Sequence, residues 1–355
     1  MSTSDSASLQ QAMRSLHERT FFPVTDESLT DIGSTFMYRQ KTSAPGEPRS
    51  DLHRAIDIEN QAGETGDIVR AVYPGVFLEY RESETGGGNV IKLRHEFPES
   101  FRFKDKKIEY FYTWYSHLNS RSTPNVDKVV EKIKSWEPGI TEIESGQEIA
   151  LMGKSGSTKR VHLHLEVRIG TPKSLYAQLK SRTDANELRW GFDPHIHPLM
   201  LFPEERYVDE KSESIPTKLT LISPDQNGGD LAFCYQTDRQ KPLLNRITTK
   251  IMARDESETP VKFHVIDLNL RTGIIPKNLE LNPKPKETWL DDPNRTQPYF
   301  EPVPFGLKTL SYQTKIIIPK NWLAQVSSHN TDLYLQLEAT DVWGNSVESD
   351  RFSSS

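Results

Sequence analysis

The stretch VHLHLEVRIG, residues 161–170, constrains this chain more than any other. Apolar and polar residues alternate through it, the pattern of a strand with one face turned to a core. Successive side chains of a strand point to opposite faces, so His162 and His164 must point to the same side. At about 3.3 Å rise per residue their backbones lie roughly 7 Å apart, within reach of one metal site. An isolated HxH on a strand is ordinarily a pair of solvated surface histidines, because a ligand needs partners elsewhere. The rest of the chain must supply them.

The single cysteine, Cys234 in DLAFCYQT, rules out an intrachain disulfide and a cysteine-based zinc cluster. A zinc site in this chain has to use histidine and carboxylate ligands, and Cys234 itself reads as a small hydrophobe rather than a nucleophile. The net charge of −6 is spread as mixed signs with no long basic tract, which argues against nucleic acid as a partner. The first thirty residues contain no apolar signal core, and no stretch reaches membrane-spanning length. No secretory address and no integral membrane segment are therefore expected from these residues.

At 355 residues the chain is long enough for two domains. Residues 1–19 are polar and read as a flexible N-terminus with a short helix at 8–18. From FFPV onward the pattern becomes β-like: DIVRAVYPGVFLEYRES reads as two strands around Pro74-Gly75, and GGGNVIKLRHEF and IEYFYTWYSHL as alternating strands. NVDKVVEKIKSWE, 125–137, has helical spacing and reads as a helical insertion, and SLYAQLKSR as a short helix. A charged stretch at 204–216 reads as a linker. Beyond it, 217–355 carries further short β-like runs, interrupted by the proline- and asparagine-rich loop NPKPKETWLDDPNRTQPYFEPVP, as in a small β-sandwich.

Three further segments bear on the HxH. DLHRAIDIEN places His53 and Asp57 four residues apart; on a straight strand they would be about 13 Å apart, too far for one ion. Both bind the same ion only if the chain turns helical or bends sharply between them. TWYSHLNS ends an aromatic strand on His117. A second HxH, FDPHIHPLML, flanks His195 and His197 with prolines, which argues against a regular strand and for a structural or surface role. No HExxH is present, since His95-Glu96 runs on to Pro98 without a second histidine.

Taken in order, FFPV, STFMYR, HRAIDI, GDIVRAVYPGVF, GGGNVIKLRH, TWYSHLNS, SGQEIALMGKSGS and HLHLEV resemble the lysostaphin-type (LytM-like) zinc metallopeptidases, the family that includes peptidoglycan DD-endopeptidases. The resemblance covers about residues 20–203. It implies a mainly β, antiparallel-sheet peptidase domain there, one Zn2+ per chain, and His53, Asp57 and His164 as its ligands. It also implies His162 as the general base and His117 as stabiliser of the oxyanion. The chain departs from the family pattern at Ala55, where glycine is usual two residues after the first ligand. It departs again at Thr158-Lys159-Arg160-Val161, where the family has Ser-Thr-Gly-Pro. The last strands, around LEATDVWGNS, resemble an immunoglobulin-like β-sandwich, with Asp341, Gly344 and Asn345 as turn-makers.

The expectation is a zinc metalloendopeptidase acting on peptidoglycan stem peptides or cross-bridges, in the periplasm or at the cell surface as the resemblance suggests. The alternatives are a non-catalytic zinc-binding scaffold that regulates wall hydrolysis, and a cytoplasmic peptidase with another substrate. Oligomeric state is not legible in the sequence.

Overall fold

The structure is a computed structural model. It describes residues 3–24, 32–34, 36–43, 47–59, 66–103, 106–119, 133, 135–170, 195–203, 218–222, 231–237, 244–253, 262–267, 299–300, 303–304, 312–318 and 333–353. The helix expected at 125–137 falls almost wholly outside these residues. The helix expected at 174–182, the linker at 204–216 and most of the proline-rich loop fall outside them entirely. By contacts the chain divides into two compact units, Met1–Phe36 with Arg54–Asp209, and Met37–His53 with Glu210–Ser355.

The strands of the first half are β1 (Ile32–Ser34), β2 (Met37–Ser43), β3 (Glu47–His53), β4 (Ala55–Glu59), β5 (Ile68–Arg70), β6 (Gly75–Arg81), β7 (Asn89–Phe103), β8 (Lys106–Leu118), β9 (Glu142–Ile143), β10 (Glu148–Leu151), β11 (His162–Gly170) and β12 (His195–Ile196). The first unit is built on an antiparallel sheet in the order β1-β4-β11-β8-β7-β6-β9, with β12 paired to β11 and a separate β5-β10 pair. An antiparallel sheet in this half is what the sequence led one to expect.

The alternation read in β11 sorts the sheet into two faces. Leu163, Leu165, Val167 and Ile169 are completely buried. Registered with them are Ile56 and Ile58 on β4 and Phe111, Thr113 and Tyr115 on β8. Ile91, Leu93 and His95 on β7 continue the row. Burying large apolar side chains such as these contributes about 1.5–3 kcal/mol each, which fixes the register, since a slip of one residue would exchange the faces. The opposite face carries Asp57, His164 and Ser116 in one row and Glu166, Trp114 and Lys92 in the next.

The N-terminal segment, expected to be loosely held, forms helix α1 (Thr3–Arg14) and a 3-10 turn His17–Arg19. Leu9, Met13 and Leu16 from it are buried, and α1 packs on β7 and on the 3-10 turn Pro198–Leu201. His17 Nε2–H donates to the Met200 carbonyl at 3.0 Å. None of the described helices is long and apolar enough to cross a membrane.

The second unit contains β2, β3 and the later strands: β13 (Lys218–Ile222), β14 (Leu231–Thr237), β15 (Leu244–Ala253), β16 (Lys262–Asp267), β17 (Tyr299–Phe300), β18 (Val303–Pro304), β19 (Tyr312–Ile318), β20 (Leu333–Asp341), β21 (Ser346–Glu348) and β22 (Phe352–Ser353). They form the sheets β13-β14-β19-β17, β16-β15-β20-β21 with β22 on β20, and β18-β2-β3. Leu231, Phe233 and Tyr235 are buried and alternate with half-exposed neighbours; Leu335, Leu337 and Ala339 do the same. Cys234 is one of those half-exposed neighbours. Asp341 makes a turn, as expected. Its Oδ1 accepts from the amides of Trp343 at 2.9 Å and Asn345 at 3.0 Å, and its Oδ2 from Asn345 Nδ2 at 3.0 Å.

Candidate metal centre

The antiparallel pairing of β4 with β11 sets His164 directly opposite Asp57. Cross-strand partners share a face, and here His164 Nδ1 comes within 3.0 Å of Asp57 Oδ1. The four-residue spacing from His53 to Asp57 resolves as a bend. β3 ends on His53, Arg54 lies outside any strand, and β4 begins at Ala55. One donor atom from each of His53, Asp57 and His164 lies within 4.8 Å of the others. Ligand atoms of a tetrahedral zinc at about 2.0 Å stand about 3.3 Å apart, so this group needs a small contraction to hold an ion. His53 and Asp57 are only 4% and 5% exposed.

His117 reaches the site through an irregularity in β8. Between Asn89 and Ile91 on β7, paired with Leu118 and Tyr115, β8 carries one extra residue, a β-bulge over Ser116 and His117. His117 has φ of 60°, the left-handed region, and among the described residues it is the one non-glycine there. A side chain in that region costs on the order of 1–2 kcal/mol, which the surroundings must hold in place. They do so with two bonds: the His117 amide donates to the Gly87 carbonyl at 2.7 Å, and His117 Nδ1–H to the Ser155 carbonyl at 2.8 Å. The loops carrying those carbonyls lie against each other. A Cβ on Gly88 would fall 2.4 Å from Ser155, and φ there is 66°, so glycine is required.

The bulge turns the His117 ring to 4.7 Å from that of His162 and 5.6 Å from that of His164, centroid to centroid. His162 Nδ1–H donates to the Arg160 carbonyl at 3.0 Å, and its Nε2 stands 3.6 Å from Asp57 Oδ1. A backbone carbonyl only accepts, so Nδ1 carries the proton in both His117 and His162, and both present a bare Nε2. Burial pushes the His117 pKa down to about 4, and pushes that of His162 down against the pull of Asp57. Both imidazoles are therefore neutral near pH 7 and able to accept a proton.

His164 behaves in the opposite way. Burial disfavours its charge, but its hydrogen bonds to Asp57 and Glu166 outweigh that and raise its pKa to about 9. A lone pair facing Asp57 Oδ1 from His162, and a proton shared between Asp57 and His164, mark the place where a cation fits the donor set.

All five expected site residues, His53, Asp57, His117, His162 and His164, thus lie in one cluster. The second HxH does not join it as ligands, yet neither histidine is at the surface. His195 and His197 are 4% and 2% exposed. His197 Nδ1 accepts from the Leu199 amide at 3.2 Å and caps the following 3-10 turn. His195 instead approaches Glu166, with Nε2 at 3.1 Å from Oε2. Glu166 and Arg168 were not singled out from the sequence, although period 2 puts both on the face of His162 and His164.

A His-Asp-His group with His53 and Asp57 buried and His164 partly exposed, beside two neutral imidazoles, is a donor set suited to a hydrolytic metal centre. Residues 51–175, which contain all five of these residues, match the model of Peptidase family M23. Among solved structures the chain is similar to the catalytic domain of the antimicrobial peptidase lysostaphin from Staphylococcus simulans, at 22% identity over 39% of this chain and 80% of that one, TM-score 0.25. It is similar also to a zinc-containing peptidase from Vibrio cholerae, at 24% identity over 42% of this chain and 37% of that one, TM-score 0.28. The antimicrobial peptidase lysostaphin from Staphylococcus simulans is similar at 13% identity over 92% of this chain and 91% of that one, TM-score 0.30. No curated protein matches.

Proposed function

We propose that this chain is a zinc metalloendopeptidase that hydrolyses peptide bonds, with peptidoglycan stem peptides or cross-bridges as its substrate class. The observation that carries the proposal is the convergence of His53, Asp57 and His164 donor atoms within 4.8 Å, beside two imidazoles with bare Nε2 atoms. His53, Asp57 and His164 would hold the ion, two neutral imidazoles and one carboxylate leaving it a net positive charge. Zinc there supplies Lewis acidity, polarising the scissile carbonyl and making water acidic enough to react near neutral pH.

The chain's own residues supply the rest. His162 Nε2, held toward the site by the Nδ1–H bond to Arg160, takes the proton of the attacking water and returns it to the leaving amine. His117 keeps its Nδ1–H on Ser155, takes up a solvent proton at Nε2 as negative charge develops on the attacked carbonyl, donates it as a hydrogen bond to that oxyanion, and releases it to solvent when the carbonyl re-forms. A second reading exchanges these two roles. It is favoured by one observation: both rings have the same tautomer and the same bare atom, so His117 is equally equipped to act as the base.

The domain organisation is proposed as a peptidase domain at 20–203, a linker at 204–216 and a β-sandwich at 217–355. Purified protein incubated with zinc and with glycine-rich or wall-derived peptides tests the activity. Cleavage that a chelator abolishes and added zinc restores supports it. Stoichiometric zinc binding without cleavage of either peptide class would turn the reading to a zinc-binding scaffold.

A further inference from the structure

Beyond the three ligands, the same face of β11 continues with a chain of buried polar groups. His164 points Nδ1 at Asp57 and Nε2 at Glu166 Oε1, 3.4 Å away. The other carboxylate oxygen, Glu166 Oε2, receives three donors: the Arg168 side chain through the terminal nitrogen at 2.7 Å and through Nε at 3.3 Å, and His195 Nε2–H at 3.1 Å. Glu166, Arg168 and His195 are 7%, 5% and 4% exposed. Arg168 in turn stacks its guanidinium over the Trp114 ring at 3.5 Å, which fixes the plane of the fork. β12 is a two-residue strand, and its register places His195 opposite Arg168. A strand this short is an inefficient way to cover a sheet edge; what it delivers is one donor to one carboxylate.

We infer that Glu166 is a positioning residue for the metal centre, and that Arg168 and His195 hold it in place. This rests on the zinc reading above. A histidine binds a metal through one nitrogen only when the other carries the proton, and a carboxylate accepting that proton fixes both the tautomer and the ring orientation. Glu166 is placed to accept from Nε2 of His164 and so leave Nδ1, the atom facing Asp57, as the ligand. Its charge also makes the imidazole a stronger donor to the ion. Arg168 and His195 keep that carboxylate ionised and aimed, so a surface-seeking Glu is held inside the sheet.

The test compares zinc affinity, by competition with a chromophoric chelator, and the visible spectrum of the cobalt-substituted protein. Wild type is set against Glu166→Gln, His195→Leu and His195→Gln, with far-ultraviolet circular dichroism as the control for folding. Glu166→Gln keeps size and one acceptor but loses the charge. It should weaken zinc binding by about 10- to 100-fold and shift the cobalt bands. His195→Leu should weaken binding in the same direction and by less, and His195→Gln, which restores a donor, should return it to near the wild-type value. Should Glu166→Gln unfold, the His195 pair carries the test through the same carboxylate. Unchanged affinity and an unchanged cobalt spectrum in a folded Glu166→Gln, or equal affinity in the two His195 variants, would overturn the inference while leaving the zinc reading intact. A wild type that binds no zinc would overturn the zinc reading itself, and this inference with it.

Discussion

Acid should unfold the sheet beneath the metal centre, and His95 gives the size of the effect. The residue is completely buried on the core face of β7. Its Nδ1–H donates to the Pro74 carbonyl at 2.9 Å, and its Nε2 accepts from the Thr113 hydroxyl at 2.8 Å, with the ring stacked 4.6 Å from that of Phe111. The neutral ring is fully satisfied, whereas the charged ring is cut off from solvent and meets no carboxylate among the described residues to balance it. Burial therefore lowers the pKa from 6.5 to about 4, only partly offset by bonds to backbone carbonyls. The folded value lies below the unfolded one, so the contribution to stability is fully present above pH 6.5 and is lost as the pH falls toward 4. Over that window the loss is roughly 3 kcal/mol, at 1.36 kcal/mol per pKa unit. That is a large part of the about 5–15 kcal/mol that holds a typical domain folded. His197, pushed down to about 3 by burial, acts in the same direction, so the comparison must be made against a variant. Urea unfolding of wild type and His95→Gln, in chelator to remove any metal linkage, should be followed from pH 7.5 to 4. Glutamine offers one donor and one acceptor but cannot titrate. The variant should be less stable at pH 7.5, and the gap should narrow by roughly 3 kcal/mol at pH 4. Parallel stability curves would refute the reasoning.

The remaining expectations concern the site itself. His164→Ala should strip zinc at near-stoichiometric metal, whereas His195→Ala should still bind one zinc per chain when metal is in excess, as measured by elemental analysis; equal loss in both would reject the choice between the two HxH pairs. His162→Ala and His117→Ala should keep zinc and lose peptide hydrolysis by about 100-fold or more, and near wild-type turnover in either would remove its assigned role. Because the metal must displace the proton of His164, whose pKa is raised to about 9, apparent zinc affinity should rise about tenfold per pH unit between pH 7 and 9. An affinity that stays flat across that range would mean the proton is not where the bonds to Asp57 and Glu166 place it.

The antiparallel sheet was legible because its signal is local. Strict alternation in VHLHLEVRIG is enough to assign two faces and to set both histidines of the first HxH on one of them. The union of His53 with Asp57 was not legible from spacing. A four-residue interval is compatible with binding only through a bend, and the break at Arg54 between β3 and β4 is a property of two strands that belong to different sheets. The N-terminal helix was legible, but its packing was not, for a related reason. Its polar residues, read alone, gave no partner, and the surface that buries Leu9, Met13 and Leu16 comes from β7 and residues 198–201, far along the chain. His117 falls between these cases. Its presence at the strand end was readable, but the bulge and the left-handed φ that turn the ring toward His162 depend on Gly87 and Ser155 in two separate loops.

Glu166 and His195 show how a correct period can still be read too narrowly. The alternation that pairs His162 with His164 continues without interruption to Glu166 and Arg168, so the sequence already places four polar side chains on one face of a strand flanked on both sides. A central strand has little solvent for such a row, and charges in that position need partners. Arg168 two residues on is the natural partner of Glu166, since i and i+2 share a face, but a single Arg leaves the second carboxylate oxygen or the histidine's far nitrogen to be accounted for. The second oxygen and the far nitrogen meet each other, His164 Nε2 on Glu166 Oε1, and the proline-flanked His195 adds a donor to the oxygen that Arg168 holds: two strand residues suffice to register it with Arg168 and bring Nε2 to Glu166. The feature that argued against ligation by the second HxH is therefore the same one that shapes it for the carboxylate behind the first.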